Sequence, residues 1–484
     1  MRFTDTTKLV RSPHLVLQQH GEEHVVYHAL LGHPLVVNAQ GLSVLESFAT
    51  PSTIAASKQR CVIPGLRKWI TVFTESHFLV RRGTNERAAL ARTTQRQLAK
   101  IAQGKQLVGL GLILTEACNF ACNYCVAKQI SIAAGSGGTS VQRMSWPIAQ
   151  KAIDEFLHSA KKQRHKEVEI HFGGREPLLN WTVLQQSIEH CTATYAKDFT
   201  FRFSANSNGS LINAERARYL AKHRVTITTS LDGLRETNDA SRTHASGRGT
   251  FDETIAGWDH LGKVRMPVRC FSVTLTDSNI DAINETFFDF LKSRGIRSVT
   301  IEPNLITPLT HSPEEVVTAL MRFRAWGLDR GVNVVGMWDR PFKNLFLSDA
   351  RPRPTKDPFK SDGRPSIFNC SAFTGRGVSV APPGAIVSCA YSTEKIGSID
   401  DFEGIFQSPA FQSLVTSRSV GNIASCHGCE LEGLCKGGCY LTSVYGEHTA
   451  SQAGFNYRCE VYKLITRSLL TESVRGESSP TSST

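Results

Sequence analysis

The chain predicts an α/β fold: a parallel sheet wrapped by helices, with a small N-terminal α+β module before it and a cysteine-rich region after it. Three features carry that expectation. Between residues 107 and 305, six β-branched apolar runs (VGLGLILT, EVEIHF, FTFRFSA, VTITTSL, VRCFSVTL and SVTIEPN) alternate with helical stretches such as WPIAQKAIDEFLHSA and DAINETFFDFLKS. Strands joined through helices pair in parallel, because parallel neighbours need crossover connections. Residues 13–60 instead mix the short runs HLVLQQH and HPLVVN with the helical GLSVLESF, a smaller unit of strands and helices. Last, seven of the 13 cysteines fall between Cys370 and Cys459. An open sheet and a partial barrel both fit the central pattern.

The bulk properties narrow the class. With 484 residues and 40% hydrophobic content, the chain can bury one large core or two to three smaller ones. The start, MRFTDTTKLV, lacks a basic segment followed by an apolar run, and the longest apolar stretch, Val108–Leu114, is too short to span a bilayer. A cytoplasmic protein with no membrane partner is expected. In that reducing compartment the cysteines read as metal ligands or catalytic thiols rather than disulfides. The net charge of +12 would suit an acidic or nucleic-acid partner, yet it is spread over many segments and reads as a solvated basic surface.

Polar and glycine residues gather where the strands end: TEACNF after the first, GGREP after the second, NSNGS after the third and LDG after the fourth. Ligands of α/β folds sit at the carboxyl ends of strands, so these loops should line one site. The first loop holds Cys118, Cys122 and Cys125 in a C-x3-C-x2-C spacing. Zinc or redox chemistry is open to three such thiols, but a structural zinc takes four ligands and no fourth lies nearby. A [4Fe–4S] cube held by three cysteines would keep one iron free for a substrate or cofactor.

This spacing, with Tyr124 before the last cysteine, resembles the signature of the radical S-adenosylmethionine enzymes, and the likeness spans roughly residues 107–460. It implies a partial (β/α)6 barrel at residues 106–345 in which Cys118, Cys122 and Cys125 hold a catalytic [4Fe–4S] cluster. S-adenosylmethionine would chelate the open iron and be cleaved to a 5′-deoxyadenosyl radical. Tyr124 takes the aromatic place beside the adenine. HFGGREPLLN resembles the loop that binds the methionine amino group, with Gly173, Gly174, Glu176 and Pro177 as the matching residues. Arg175 is an extra residue between the glycines and the glutamate. Ser230 and Arg242 resemble the pair that holds the ribose or carboxylate end.

The C-terminal cysteines run C-x2-C-x5-C-x3-C through Cys426, Cys429, Cys435 and Cys439, preceded by Cys370 and Cys389 and followed by Cys459. Zinc knuckles of a nucleic-acid module are one reading of the central four. The full series resembles the SPASM domain, here residues 346–465. That likeness implies two auxiliary [4Fe–4S] clusters, one on Cys426, Cys429, Cys435 and Cys459 and the other on Cys370, Cys389 and Cys439, for three clusters in all. PSIFNC offers no further cysteine as a fourth ligand to the second of these. Cys61, Cys191 and Cys270 read as buried small hydrophobes. Residues 466–484, ending in ESSPTSST, are expected to be disordered.

The resemblance implies a maturase that removes hydrogen from a side-chain or Cα carbon of a ribosomally made precursor peptide and forms an intramolecular cross-link, a carbon–carbon cyclophane in the favoured case. Thioether formation, epimerisation and sulfatase-maturase-like oxidation are the alternatives. Sulfatase maturases carry an aspartate base after the cysteine matching Cys389, where this chain has Ala390. Residues 1–105 are similar to a leader-binding winged-helix module that takes the precursor as an added strand, or else extend the barrel. A one-electron donor such as flavodoxin or ferredoxin would be the other partner, with no nucleic acid. Outside enzymes, an iron–sulfur electron carrier remains the competing class.

Overall fold

The computed structural model describes residues 4–133, 141–346, 367–448 and 452–474. The N-terminal module contributes six strands: β1 (Lys8–Arg11), β2 (Leu15–His20), β3 (Glu23–His28), β4 (Gly32–Val37), β5 (Ser52–Thr53) and β6 (Leu79–Arg81). They form two antiparallel three-stranded sheets, β5-β1-β6 and β2-β3-β4. Strand β3 separates its two faces by alternation. Val26 enters the module's own core with Val37, Val44, Phe48 and Phe73, while Val25 and Tyr27 point the other way into the main core of the chain.

The central sheet has ten strands. Its parallel part runs β7 (Gly109–Thr115), β8 (Glu167–Gly174), β9 (Thr200–Asn206), β10 (Thr226–Ser230), β11 (Cys270–Leu275), β12 (Ser298–Pro303) and β13 (Asn333–Val335), each paired in parallel with the next. The six expected strands are all present in order. The seventh, β13, was not expected, because three residues are too few to display a period. The helix Trp146–Lys162 shows why the crossovers are helical: Ala149, Ala152, Ile153, Phe156, Leu157 and Ala160 make one buried stripe at helical spacing. At the last crossover, Ser312 and Glu315 form a capping box that starts the helix Pro313–Asp329.

Strands β14 (Gly377–Val380), β15 (Ala385–Val387) and β16 (Lys395–Ser398) extend the same sheet beyond β7. β14 lies parallel to β7, then β15 and β16 return antiparallel. The C-terminal region is therefore built onto the barrel's first strand rather than tethered beside it. A long helix, Gln452–Val474, closes the described chain against the helix Pro313–Asp329. Its course corrects the expectation of disorder from residue 466. Leu469 and Leu470 are buried and draw the helix on to Val474, an apolar pair outweighed in the sequence by its Ser/Thr-rich surroundings. Cys61 and Cys191 are buried as expected, but Cys270 is exposed at the start of β11. The Pro-rich RPRPTKDP segment lies outside the described residues. No helix among the described residues is long and apolar enough to cross a membrane.

Candidate active site at the strand ends

β7 delivers the loop that carries Cys118, Cys122 and Cys125, all half-buried and none in a disulfide. The loop is locked by its neighbours. The Phe120 amide donates to Cys118 Sγ at 3.4 Å, Asn208 Nδ2 reaches the same sulfur at 3.9 Å, and Asn208 also donates to Asn119 at 2.9 Å. Asn208 belongs to the NSNGS loop after β9. Burial pushes the Cys118 thiol up to about 11, with the Phe120 amide opposing it. A bound metal must therefore draw out the thiolate.

Beside the triad lies a buried polar knot. Tyr124 donates its phenol to Asp232, Arg242 Nη1 donates to the Tyr124 oxygen at 2.8 Å, and Arg242 lies 3.8 Å from Asp232. The Thr274 amide holds the other Asp232 oxygen at 2.9 Å. Burial keeps the Tyr124 phenol well above its usual range, so it stays a donor. Arg242 Nε is buried with no hydrogen-bond partner among the described residues, and the guanidinium charge is felt at the Cys122 thiol. Sequence reasoning missed Asp232, although LDG marked the loop. Ser230 ends β10 half-buried and makes no hydrogen bond with Arg242.

The GGREP loop is tied to its neighbours through Glu176. Glu176 is fully buried and its carboxylate is consumed by the protein: Leu178 N at 3.1 Å, Ser207 Oγ at 2.9 Å and Asn208 N at 2.8 Å all donate to it. Burial nevertheless pushes its pKa up, against those three bonds. Glu176 thus ties the GGREP loop to the NSNGS loop and, through Asn208, to Cys118. Pro177 opens the turn that follows. Gly173 and Gly174 end β8, and at Gly174 the φ of +115° and a would-be Cβ only 2.4 Å from the Thr115 carbonyl exclude any side chain.

Of the C-terminal cysteines, Cys435, Cys439 and Cys459 line one small pocket. Cys389 feels the charge of Cys370 and Cys439, whereas Cys435 feels Cys459, Cys426 and Cys429. The turn after Cys435 is made by three successive residues in the left-handed region, Lys436, Gly437 and Gly438, with φ of 55°, 77° and 62°. Next to Cys459, buried Arg458 donates to Glu302 at 2.8 Å and to the Pro303 carbonyl at 2.8 Å, which anchors this region on the end of β12. The N-terminal module holds the other side. Arg87 grips Glu432 with two bonds of 2.7 and 3.0 Å, and the Gly433 amide donates to the Ala29 carbonyl.

Between the two cysteine regions lies a cavity of about 300 Å³, lined by Gly174, Arg175, Ile130, Pro382, Tyr391 and Lys395 among others. Tyr391 lies within electrostatic reach of both Cys125 and Cys389. The donors fit an iron–sulfur group: three free thiols in one loop, with an unsatisfied guanidinium nitrogen nearby. No three His, Cys, Asp or Glu side chains among the described residues converge closely enough for a single ion. A cube, by contrast, takes each thiolate on a different iron.

Comparison with known proteins agrees with this geometry. Residues 112–290 match the Radical SAM superfamily. The radical SAM cyclopropyl synthase TigE of Paramaledivibacter caminithermalis is 26% identical over 412 residues, covering 83% of this chain and 82% of its own. A serine-type anaerobic sulfatase-maturating enzyme of Klebsiella aerogenes is 22% identical over 359 residues, covering 72% of this chain and 84% of its own. The structure of native anSMEcpe with bound AdoMet and Cp18Cys peptide shares the fold, with a TM-score of 0.58 and 16% identity over 76% of this chain and 100% of that one. Residues 112–290 thus form a radical SAM domain.

Proposed function

We propose that this enzyme modifies a ribosomally made precursor peptide, removing hydrogen from a side-chain or Cα carbon and closing an intramolecular cross-link, with a carbon–carbon cyclophane favoured. The observation that carries the reading is the cavity between the three-cysteine loop and the hairpin bearing Cys389. Its volume of about 300 Å³ suits one or two side chains of an inserted peptide. That anSMEcpe shares this fold and is solved with a peptide supports the same substrate class. When bound, S-adenosylmethionine and a reduced [4Fe–4S] cluster supply a deoxyadenosyl radical, strong enough to take hydrogen from unactivated carbon.

The chain's own residues would do the rest. Cys118, Cys122 and Cys125 would hold the catalytic cluster. Gly173 and Gly174 would let the cofactor approach the backbone, and Arg242, oriented by Tyr124 and Asp232, would offer its unsatisfied Nε to an anionic group. Cys426, Cys429, Cys435 and Cys459 would complete a second cluster, and Cys370, Cys389 and Cys439 a third with a non-cysteine or open fourth site. Held by these residues, the two groups would supply an acceptor for the one electron released at cross-link closure, whose proton would leave to solvent, with an external carrier such as flavodoxin or ferredoxin as the electron partner. The N-terminal module would bind the precursor's leader along the β2-β3-β4 sheet, where Leu17 and Val36 expose apolar side chains. Sulfatase-type oxidation is disfavoured because Ala390 brings no base to the cavity wall.

Anaerobically reconstituted protein, reduced with S-adenosylmethionine, should release 5′-deoxyadenosine. A short peptide encoded beside this chain and co-expressed with it should lose two hydrogens by mass spectrometry. An unchanged mass with an inverted residue would replace cross-linking by epimerisation, and an intact cofactor would overturn the reading altogether.

A further inference from the structure

Strand β8 has two chemical faces. Val168, Ile170 and Phe172 enter the main core, so the alternate residues Glu169, His171 and Gly173 face the inside of the curved sheet. His171 is half-buried there, with Gly111 of β7 and Ser204 of β9 directly opposite. Its Nδ1 lies 2.9 Å from Ser204 Oγ, while Nε2 has no hydrogen-bond partner among the described residues. Burial alone lowers the pKa of the ring, which is therefore neutral near pH 7. With Ser204 accepting from Nδ1–H, the free Nε2 keeps its lone pair.

A gap lies against this ring. Gly173 has no left-handed φ, and a Cβ placed there would make only ordinary contacts, at 3.5 and 3.6 Å to His171 Cδ2 and Nε2 and at 4.0 Å to the Ala390 Cβ. Neither the backbone nor crowding demands glycine at 173, so its missing side chain leaves room between the imidazole edge and the hairpin that carries Cys389 and Ala390. The two sides of that room differ in chemistry. Cys389 precedes Ala390 and feels the charge of Cys370 and Cys439, so an iron–sulfur group on that side can take an electron. His171, on the other side, can take a proton. Glu169, next on the inner face, is exposed in a cavity at the strand starts together with Arg202 and Arg376, which opens a route from the ring to solvent.

We propose that His171 is the general base of the cross-linking reaction, taking on Nε2 the proton that the peptide loses as the new bond closes. This deepens the peptide-maturase reading and rests on it. One hydrogen atom leaves the peptide to the deoxyadenosyl radical, the carbon radical bonds to its partner carbon, and the second C–H bond breaks at that partner. Its proton goes to Nε2 and its electron to the iron–sulfur acceptor proposed at Cys370, Cys389 and Cys439. The test uses reconstituted full-length protein, S-adenosylmethionine, a reductant and the short peptide encoded beside this chain, with 5′-deoxyadenosine and cross-linked peptide counted in the same samples. His171→Asn, which keeps an amide toward Ser204 but holds no base, should lower cross-linked peptide per deoxyadenosine about 100-fold. Ala390→Asp in that background should restore much of it, because a carboxylate then reaches the same gap from the facing hairpin. Iron content and circular dichroism equal to the parent protein would exclude misfolding as the cause. A second readout needs no turnover: without reductant, diethyl pyrocarbonate should label His171 in the parent protein, and the peptide should protect it. An unchanged ratio in His171→Asn, a fall that Ala390→Asp fails to restore, or a His171 that is unlabelled or unprotected would overturn the proposal. A parent protein that cleaves the cofactor and never cross-links the peptide would instead sink the maturase reading, and the base with it.

Discussion

The two cysteine-bearing regions are made by opposite means. The loop of Cys118, Cys122 and Cys125 issues from a parallel strand paired on both sides, and short polar contacts from the neighbouring strand ends fix it. The loops of Cys426, Cys429 and Cys435 follow short helical turns rather than a strand. They rest on left-handed turns and on charged pairs to distant parts of the chain, Arg458 with Glu302 and Arg87 with Glu432. The contrast teaches that the first site is preorganised by the fold, whereas the second depends on a few buried charges and on whatever its thiols bind.

The largest expected effect separates the regions chemically. Replacing Cys118, Cys122 and Cys125 together with alanine should reduce 5′-deoxyadenosine formation to background while about two thirds of the iron remains, on the three-cluster reading. Complete loss of iron would show that the regions do not assemble independently. A smaller effect strikes the second region. Arg458→Met leaves Glu302 buried without its cation and should cost about 3–5 kcal/mol in denaturant unfolding, most of it restored in the double variant with Glu302→Gln. A loss below about 1 kcal/mol would mean that the pair is not what anchors these loops. The smallest effect probes the barrel side. Glu176→Gln keeps the shape but turns a donor toward the Asn208 amide, for a cost of about 1–3 kcal/mol and weaker retention of iron at the three-cysteine loop. Unchanged stability would make the strand ends less tightly coupled than the hydrogen bonds imply.

Much of this was legible in the chain itself. The six strands were readable because each is long enough to show its β-branched run, and the cysteine spacings were readable because ligands on one loop sit close in sequence. What failed did so for local reasons. β13 is too short to carry a pattern, Cys270 sits in an apolar run yet on its exposed side, and Leu469 and Leu470 are masked by serines and threonines. Asp232 was one polar residue of the LDG loop, and only folding set it against Tyr124 and Arg242.

The order of residues alone determined the parallel α/β core and the spacing of the three-thiol loop, since periodicity and spacing are properties of neighbours along the chain. Only the tertiary structure decided that Glu176 is a buried clamp, that Arg175 faces a cavity, and that the N-terminal module grips the loop of Cys429 and Cys435. Those facts depend on which way a side chain points and on what a strand hundreds of residues away places beside it, and no local pattern encodes either.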